Sequence, residues 1–146
     1  MYKRIIIINS IKIAFILSSI SVTGSLFFSE VLGYTPCSLC WWQRICMYPL
    51  VILLGMGIVK KDKNIVSYAL PLSIIGTVIA FYHNLLYYEI VFRNAISCVP
   101  EVSCIEKYIT AFGFLSIPLM SLISFSLITI CLSLSMKYQT NSTGPK

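Results

Sequence analysis

The sequence predicts an all-α integral membrane protein: a four-transmembrane-helix bundle with both termini cytoplasmic and two extracytoplasmic loops that each carry a cysteine pair. Three observations carry that expectation. Of 146 residues, 58% are hydrophobic and 11% are charged, too little polar surface to cover the core of a soluble domain this size. Four apolar stretches each run to about 20 residues, enough at about 1.5 Å per residue to cross a hydrocarbon layer about 30 Å thick. Eight of the 11 basic residues gather on one side: Lys3, Arg4 and Lys12 at the start, Lys60, Lys61 and Lys63 in the second break, Lys137 and Lys146 in the tail; only Arg44, Arg93 and Lys107 fall near the first and third breaks. That is the positive-inside bias that orients membrane helices.

The first span is expected over about Ile11–Leu32. Its apolar run is too long for a signal peptide and no A-x-A-like site follows it, so it is expected to stay uncleaved. Gly33-Tyr34-Thr35-Pro36 breaks the helix. The second span is expected over about Trp41–Val59, stopped by Lys60-Lys61-Asp62-Lys63. Pro49 inside it should bend that helix, which membranes tolerate when neighbours satisfy the freed carbonyl. The third span is expected over about Ile65–Tyr88 and the fourth over about Phe114–Met136. Between them, Ile105–Phe112 suits a short interfacial helix. Residues 1–136 thus form one membrane domain, and 137–146 a disordered cytoplasmic tail.

The net charge of +6 reports this topology and argues against nucleic-acid binding. Four of the five acidic residues, Glu30, Glu89, Glu101 and Glu106, fall on the side opposite the lysines. The same side carries Cys37 and Cys40 in the first break and Cys98 and Cys104 in the third. Facing the oxidising compartment, such cysteines can pair as disulfides. Cys46 and Cys131 lie among apolar residues at membrane depth and read as packing residues.

Cys37-Ser38-Leu39-Cys40 has a redox spacing, because two sulfurs so placed close a small ring whose environment sets their reactivity. Pro36 suits the first turn of a helix, which would place Cys37 at the helix N-terminus, where the backbone dipole favours a thiolate. If the helix continues, Cys40 and Arg44 share a face. A guanidinium near a thiolate is worth on the order of 1–3 kcal/mol at an effective dielectric of about 20. Cys40 and Arg44 are therefore a candidate electron-donor site at the membrane edge, open to an apolar acceptor dissolved in the bilayer. Arg44 can equally be a snorkelling anchor, and Trp41 and Trp42 fit an interfacial aromatic belt. Glu30 and His83 fall near the outer ends of their spans, at the depth expected for Arg44. Ionisable residues there are functional candidates, though His83 can also serve a neighbouring helix.

Cys98 and Cys104 can close a small loop worth about 2–2.5 kcal/mol in the loop-entropy picture. A pure staple gains little between helices that already fix its ends, whereas an exposed disulfide is a target for an incoming thiolate. The first pair in the neighbouring loop favours exchange over an inert staple. A four-thiolate zinc site is disfavoured by the loose spacing of the second pair, so no metal is expected. A membrane scaffold with structural disulfides remains the alternative from another class. A transporter lacks support, because the sequence shows no broken helix pair.

The run Pro36-Cys37-Ser38-Leu39-Cys40-Trp41-Trp42-Gln43-Arg44, with Met47-Tyr48-Pro49, resembles the DsbB family of disulfide-bond-forming membrane oxidoreductases. Tyr108-Ile109, Phe112-Gly113-Phe114 and Ile117-Pro118-Leu119 are similar to its Gram-positive BdbC branch. The resemblance implies a quinone reductase (menaquinone or ubiquinone) that reoxidises a DsbA-like thioredoxin-fold partner outside the cell membrane. It implies that Cys37 and Cys40 are the quinone-coupled pair, with Cys40 the thiolate facing quinone and Arg44 assisting. It further implies that Cys98 accepts the partner's thiolate and that Cys104 relays electrons to Cys37. The spacer between Cys98 and Cys104 is shorter than in many proteobacterial members. The vitamin K epoxide reductase type also has four spans, but its quinone-proximal Cys-x-x-Cys lies in a late span, whereas here the motif follows the first.

Overall fold

The structure, a computed structural model, describes residues 2–33, 36–62, 64–88 and 116–140. It contains four helices long and apolar enough to cross a membrane. The second cysteine pair, Cys98 and Cys104, and the interfacial helix expected over 105–112 lie outside the described residues.

Helix α1 spans Tyr2–Leu26 and runs into a π-helical turn, Phe27–Val31. It begins well before the expected Ile11, so the N-terminal basic residues are themselves helical. Three of its hydroxyls are satisfied within the helix: Ser18 donates to the Phe15 carbonyl at 2.9 Å, Ser21 to that of Leu17 at 2.8 Å and Thr23 to that of Ser19 at 2.9 Å. Such internal pairing is what the bilayer demands of any polar group at that depth. The turn closes with the Leu32 amide donating to the Phe27 carbonyl, and Gly33 then adopts a φ of 70°, a left-handed conformation open to glycine.

Helix α2 spans Ser38–Lys60 and includes Pro49. It starts three residues earlier than the expected Trp41, which brings Cys40 inside its first turn. At the far end Lys61 takes the left-handed capping conformation (φ 52°), donating its amide to the carbonyls of Gly57 and Ile58. Asp62 accepts from the Asn64 amide at 2.9 Å, and α3 begins at once. Gly57 makes this tight connection possible, because a β-carbon there would collide with the Ile65 side chain.

Helix α3 spans Ile65–Tyr87, within one residue of expectation. Helix α4 spans Ile117–Thr140. Ser116 caps it, accepting at its carbonyl from the Met120 amide, and Pro118 sits in the first turn, where a missing N–H costs nothing. The expected tail does not begin at Lys137. The helix continues through Lys137, a cation suited to the negative end of the dipole, and Thr140 donates its hydroxyl to the Met136 carbonyl.

Each helix packs on two others, α1 and α3 both contacting α2 and α4. Toward the α2–α3 turn the core is mainly apolar: Ile7, Ile11, Ala14, Leu50, Leu54, Val66, Ala69, Ile128 and Leu132 bury together. A middle layer joins Cys46, Met47, Ala80 and Phe125. Here Gly76 lets the Phe125 ring lie directly on α3, since a β-carbon at Gly76 would occupy the ring's place. Thr77 and Thr129 hydrogen-bond across α3 and α4 at 3.0 Å. Cys46 is buried and Cys131 is half-buried against the apolar layer. At the other end Cys37 and Leu39 bury against Ile79, Tyr82 and Leu86. Asn84 ties α3 to the start of α4 there, donating to the Ala80 and Pro118 carbonyls at 2.9 and 2.7 Å.

Candidate active site

The site is built where α2 begins. Cys37 is its capping residue, extended at φ −69° and ψ 169°, while its carbonyl accepts the first helical hydrogen bond from Trp41. Pro36 therefore lies just before the cap. The three-residue step to Cys40 turns both side chains to one side, with the sulfurs 3.2 Å apart and Cys37 donating its S–H to Cys40. Cys37 is buried and Cys40 half-buried, both as thiols.

From α3, His83 reaches this pair. Its ring is 3% exposed, with Nε2 3.8 Å from Cys37 Sγ and Nδ1 3.1 Å from Gln43 Nε2. The Gln43 amide nitrogen faces Nδ1, an orientation that suits the tautomer in which Nδ1 accepts and Nε2–H points at Cys37. A chain of donors follows: Gln43 to His83, His83 to Cys37, Cys37 to Cys40. All three ligand-type atoms of Cys37, Cys40 and His83 lie within 4.8 Å of one another.

This arrangement corrects the expectation that the helix N-terminus favours a thiolate at Cys37. Its thiol is pushed up from 9.0 to about 12, chiefly because its hydrogen is held by Cys40 and further because it is buried; the His83 hydrogen bond acts in the opposite direction. Cys37 keeps its proton and Cys40 accepts the hydrogen bond, so the electron-rich sulfur is the outer one.

Arg44 is buried, and it braces the first helix. Its Nε donates to Ser25 Oγ at 3.0 Å and its Nη2 to the Ser25 carbonyl at 2.8 Å, directly before the π-helical turn. The guanidinium lies 5.6 Å from the centre of the Trp41 ring, a cation–π distance. Trp41 and Trp42 are 52% and 56% exposed, facing outward as interfacial aromatics do. Glu30 is exposed on the π-helical turn and is not part of the hydrogen-bonded chain around the sulfurs.

Sequence reading thus named Cys37, Cys40, Arg44 and His83, and the structure gathers them at one end of the bundle. It missed two residues. Gln43 stood inside the motif, three positions after Cys40 and so on the same helical side, but nothing in the sequence paired it with His83. Ser25 carried no signal, being one of several serines in α1.

Comparison with known proteins decides the family. Residues 9–135 match the family model described as "Disulfide bond formation protein DsbB". The chain belongs to the DsbB family. It is 46% identical over 114 residues to "Probable disulfide formation protein C 1" of Bacillus anthracis, covering 78% of this chain and 82% of that relative. It is 42% identical over 121 residues to "Disulfide bond formation protein C" of Bacillus subtilis, covering 83% and 88%. To the "Probable disulfide formation protein" of Oceanobacillus iheyensis it is 38% identical over 135 residues, covering 90% and 91%. No solved structure matches the chain. As a DsbB-family member with this dithiol, the protein is a thiol–disulfide oxidoreductase with several membrane spans.

Proposed function

We propose that this DsbB-family protein reoxidises a DsbA-like thioredoxin-fold partner on the extracytoplasmic face and passes the electrons to membrane quinone. The observation that carries the reading is the Cys37–Cys40 dithiol at one end of a membrane bundle, with His83 on its inner sulfur.

The sulfur chemistry balances in two exchanges. A thiolate of the reduced partner attacks Cys98 of the Cys98–Cys104 disulfide and releases Cys104 as a thiolate. The partner's second thiol closes its own disulfide and releases Cys98. Cys104 then attacks Cys37 of the Cys37–Cys40 disulfide, and Cys40 leaves as the thiolate. Cys98 attacks Cys104 in turn, restoring the second disulfide and expelling Cys37. His83 Nε2–H, directed at Cys37 Sγ, stabilises that departing sulfur until it is protonated. The result is the dithiol described here, with two electrons moved inward.

The residues at this end fit a quinone. The Arg44 guanidinium is a donor group suited to a carbonyl oxygen, and half-exposed Trp41 beside it offers an apolar wall. Arg44, His83 and Glu30 are the polar groups of this end that would face that cofactor. A bound quinone supplies a two-electron, two-proton acceptor. Cys40 is the less buried of the two sulfurs, and Arg44 follows it by four residues on the same helix, a spacing that favours its negative charge.

The test is oxidation of a reduced DsbA-like protein by purified membranes with added quinone. Loss of partner thiols that disappears in Cys37→Ser and in Cys40→Ser supports the reading. Equal rates in the variants and the native chain would return the protein to the scaffold alternative.

A further inference from the structure

We infer that the reduced protein carries a site for a thiophilic metal ion, with Zn²⁺ as the best-fitting ion, formed by Cys37 Sγ, Cys40 Sγ and His83 Nε2. The inference rests on geometry and ligand chemistry and stands whether or not quinone is the electron acceptor.

Two sulfurs and an imidazole nitrogen are a ligand set that zinc takes readily. At about 2.3 Å to sulfur and about 2.05 Å to nitrogen, tetrahedral angles put sulfurs about 3.8 Å apart and sulfur and nitrogen about 3.6 Å apart. The Cys37–Cys40 separation of 3.2 Å and the Cys37–His83 separation of 3.8 Å lie within about 0.6 Å of those values. The third pair falls within the same 4.8 Å cluster. Small side-chain rotations therefore suffice, with no backbone rearrangement.

A second observation points to a ligand. Metal-bound histidines almost always have the other ring nitrogen held by a hydrogen bond that fixes the ring. Gln43 holds His83 Nδ1 at 3.1 Å. A glutamine amide serves either protonation pattern. With its nitrogen toward the ring it donates to Nδ1, the arrangement described above. Turned over, its oxygen accepts from Nδ1–H, which frees the Nε2 lone pair for a metal. Binding thus moves the ring proton from Nε2 to Nδ1 and releases the thiol protons, with no electron transferred. Cys40 is the less buried of the two sulfurs, and a solvent molecule would complete the four ligands that zinc takes.

Metal and disulfide exclude each other, because both use the same two sulfurs. An ion bound here holds the pair reduced and removes it from turnover, so oxidation by the acceptor and binding of the ion compete.

The test uses the full-length protein in detergent with Cys98→Ser and Cys104→Ser, which removes the second pair as a competing chelator. Zn²⁺ retention is measured by metal analysis after dialysis, with the first pair reduced or oxidised, and Co²⁺ serves as a spectroscopic stand-in. One ion per reduced chain is expected, with thiolate-to-cobalt charge-transfer absorption and none in the oxidised form. Affinity should fall by at least about 100-fold in His83→Ala and by about 10-fold in Gln43→Ala, the scale set by ligand-supporting residues. Equal retention by the oxidised chain, unchanged affinity in His83→Ala, or no stoichiometric binding to the reduced chain would each overturn the site. The oxidised-versus-reduced comparison needs no change at His83, so a variant that fails to fold does not blunt the test. A metal result leaves the quinone reading untouched, since that is judged by partner oxidation.

Discussion

The two ends of the bundle are held by different forces. Around the α2–α3 turn the contacts are apolar, with Leu50, Leu54, Val66, Ile128 and Leu132 fully or almost fully buried and Gly57 admitting Ile65. At the start of α2 the helices meet through directed polar contacts: Arg44 to Ser25, Gln43 to His83, His83 to Cys37, Asn84 to Pro118. Packing in one half tolerates substitution of similar shape. A hydrogen-bonded chain in the other half fixes which atom faces which, and buried polar groups left unpaired there are costly. The difference shows where rigidity serves the fold and where it serves the chemistry.

That contrast can be broken experimentally, beginning at the polar end. His83→Ala removes the donor facing Cys37, and partner oxidation per folded molecule should slow by about 100-fold, the scale of a positioned proton-handling side chain, with some loss of thermal stability as well because the buried Gln43 amide loses its partner. An unchanged rate would make His83 a packing residue.

The proton on Cys37 gives the next effect. Because its thiol is raised from 9.0 to about 12, the protonated, hydrogen-bonded form is fully populated below pH 9 and is lost as pH rises toward 12. In the reduced protein, alkylation of Cys37 should therefore stay slow through pH 9. Cys40→Ala removes the main cause of the elevation, so alkylation of Cys37 at pH 9 should speed up by at least about tenfold, one pKa unit or more. Mass spectrometry of the alkylated peptides checks this. A slower reaction in that variant would contradict the donor direction.

Arg44→Met should raise the apparent KM for quinone by about tenfold, equivalent to about 1.4 kcal/mol, and leave the KM for the partner protein unchanged. An unaltered quinone dependence would confine Arg44 to bracing α1 against α2. The smallest effect on chemistry is expected in the packed region. Gly76→Ala drives a methyl into the Phe125 ring and should lower stability by about 1–3 kcal/mol, the usual scale of overpacking, with partner oxidation per folded molecule unchanged. A loss of turnover there would show that the two regions are coupled.

Much of this was legible in the sequence because hydropathy and charge act along the chain. Span length followed from the apolar runs, and Cys37, Cys40 and Arg44 from positions one helical turn apart. Contacts between helices were not legible in that way. The pairing of Gln43 with His83 joins residues forty positions apart, and Ser25 became a partner only because α1 packs beside α2. The dipole argument for Cys37 could not foresee its surroundings: the neighbouring Cys40 sulfur holds its hydrogen and burial disfavours the thiolate, and both raise the thiol. The continuation of α4 to Thr140 was hidden by polar residues that read as a tail, although they can satisfy their own helix.

The most direct measurement is disulfide mapping during turnover. The protein is mixed with reduced DsbA-like partner, with and without quinone, quenched in acid, alkylated and digested. Cys37 and Cys40 should be linked to each other after exposure to quinone alone, and both should be recovered as thiols after the reduced partner is added without quinone. Recovery of Cys37 and Cys40 as unlinked thiols under both conditions, while the partner is still oxidised, would contradict their role as the electron-carrying pair.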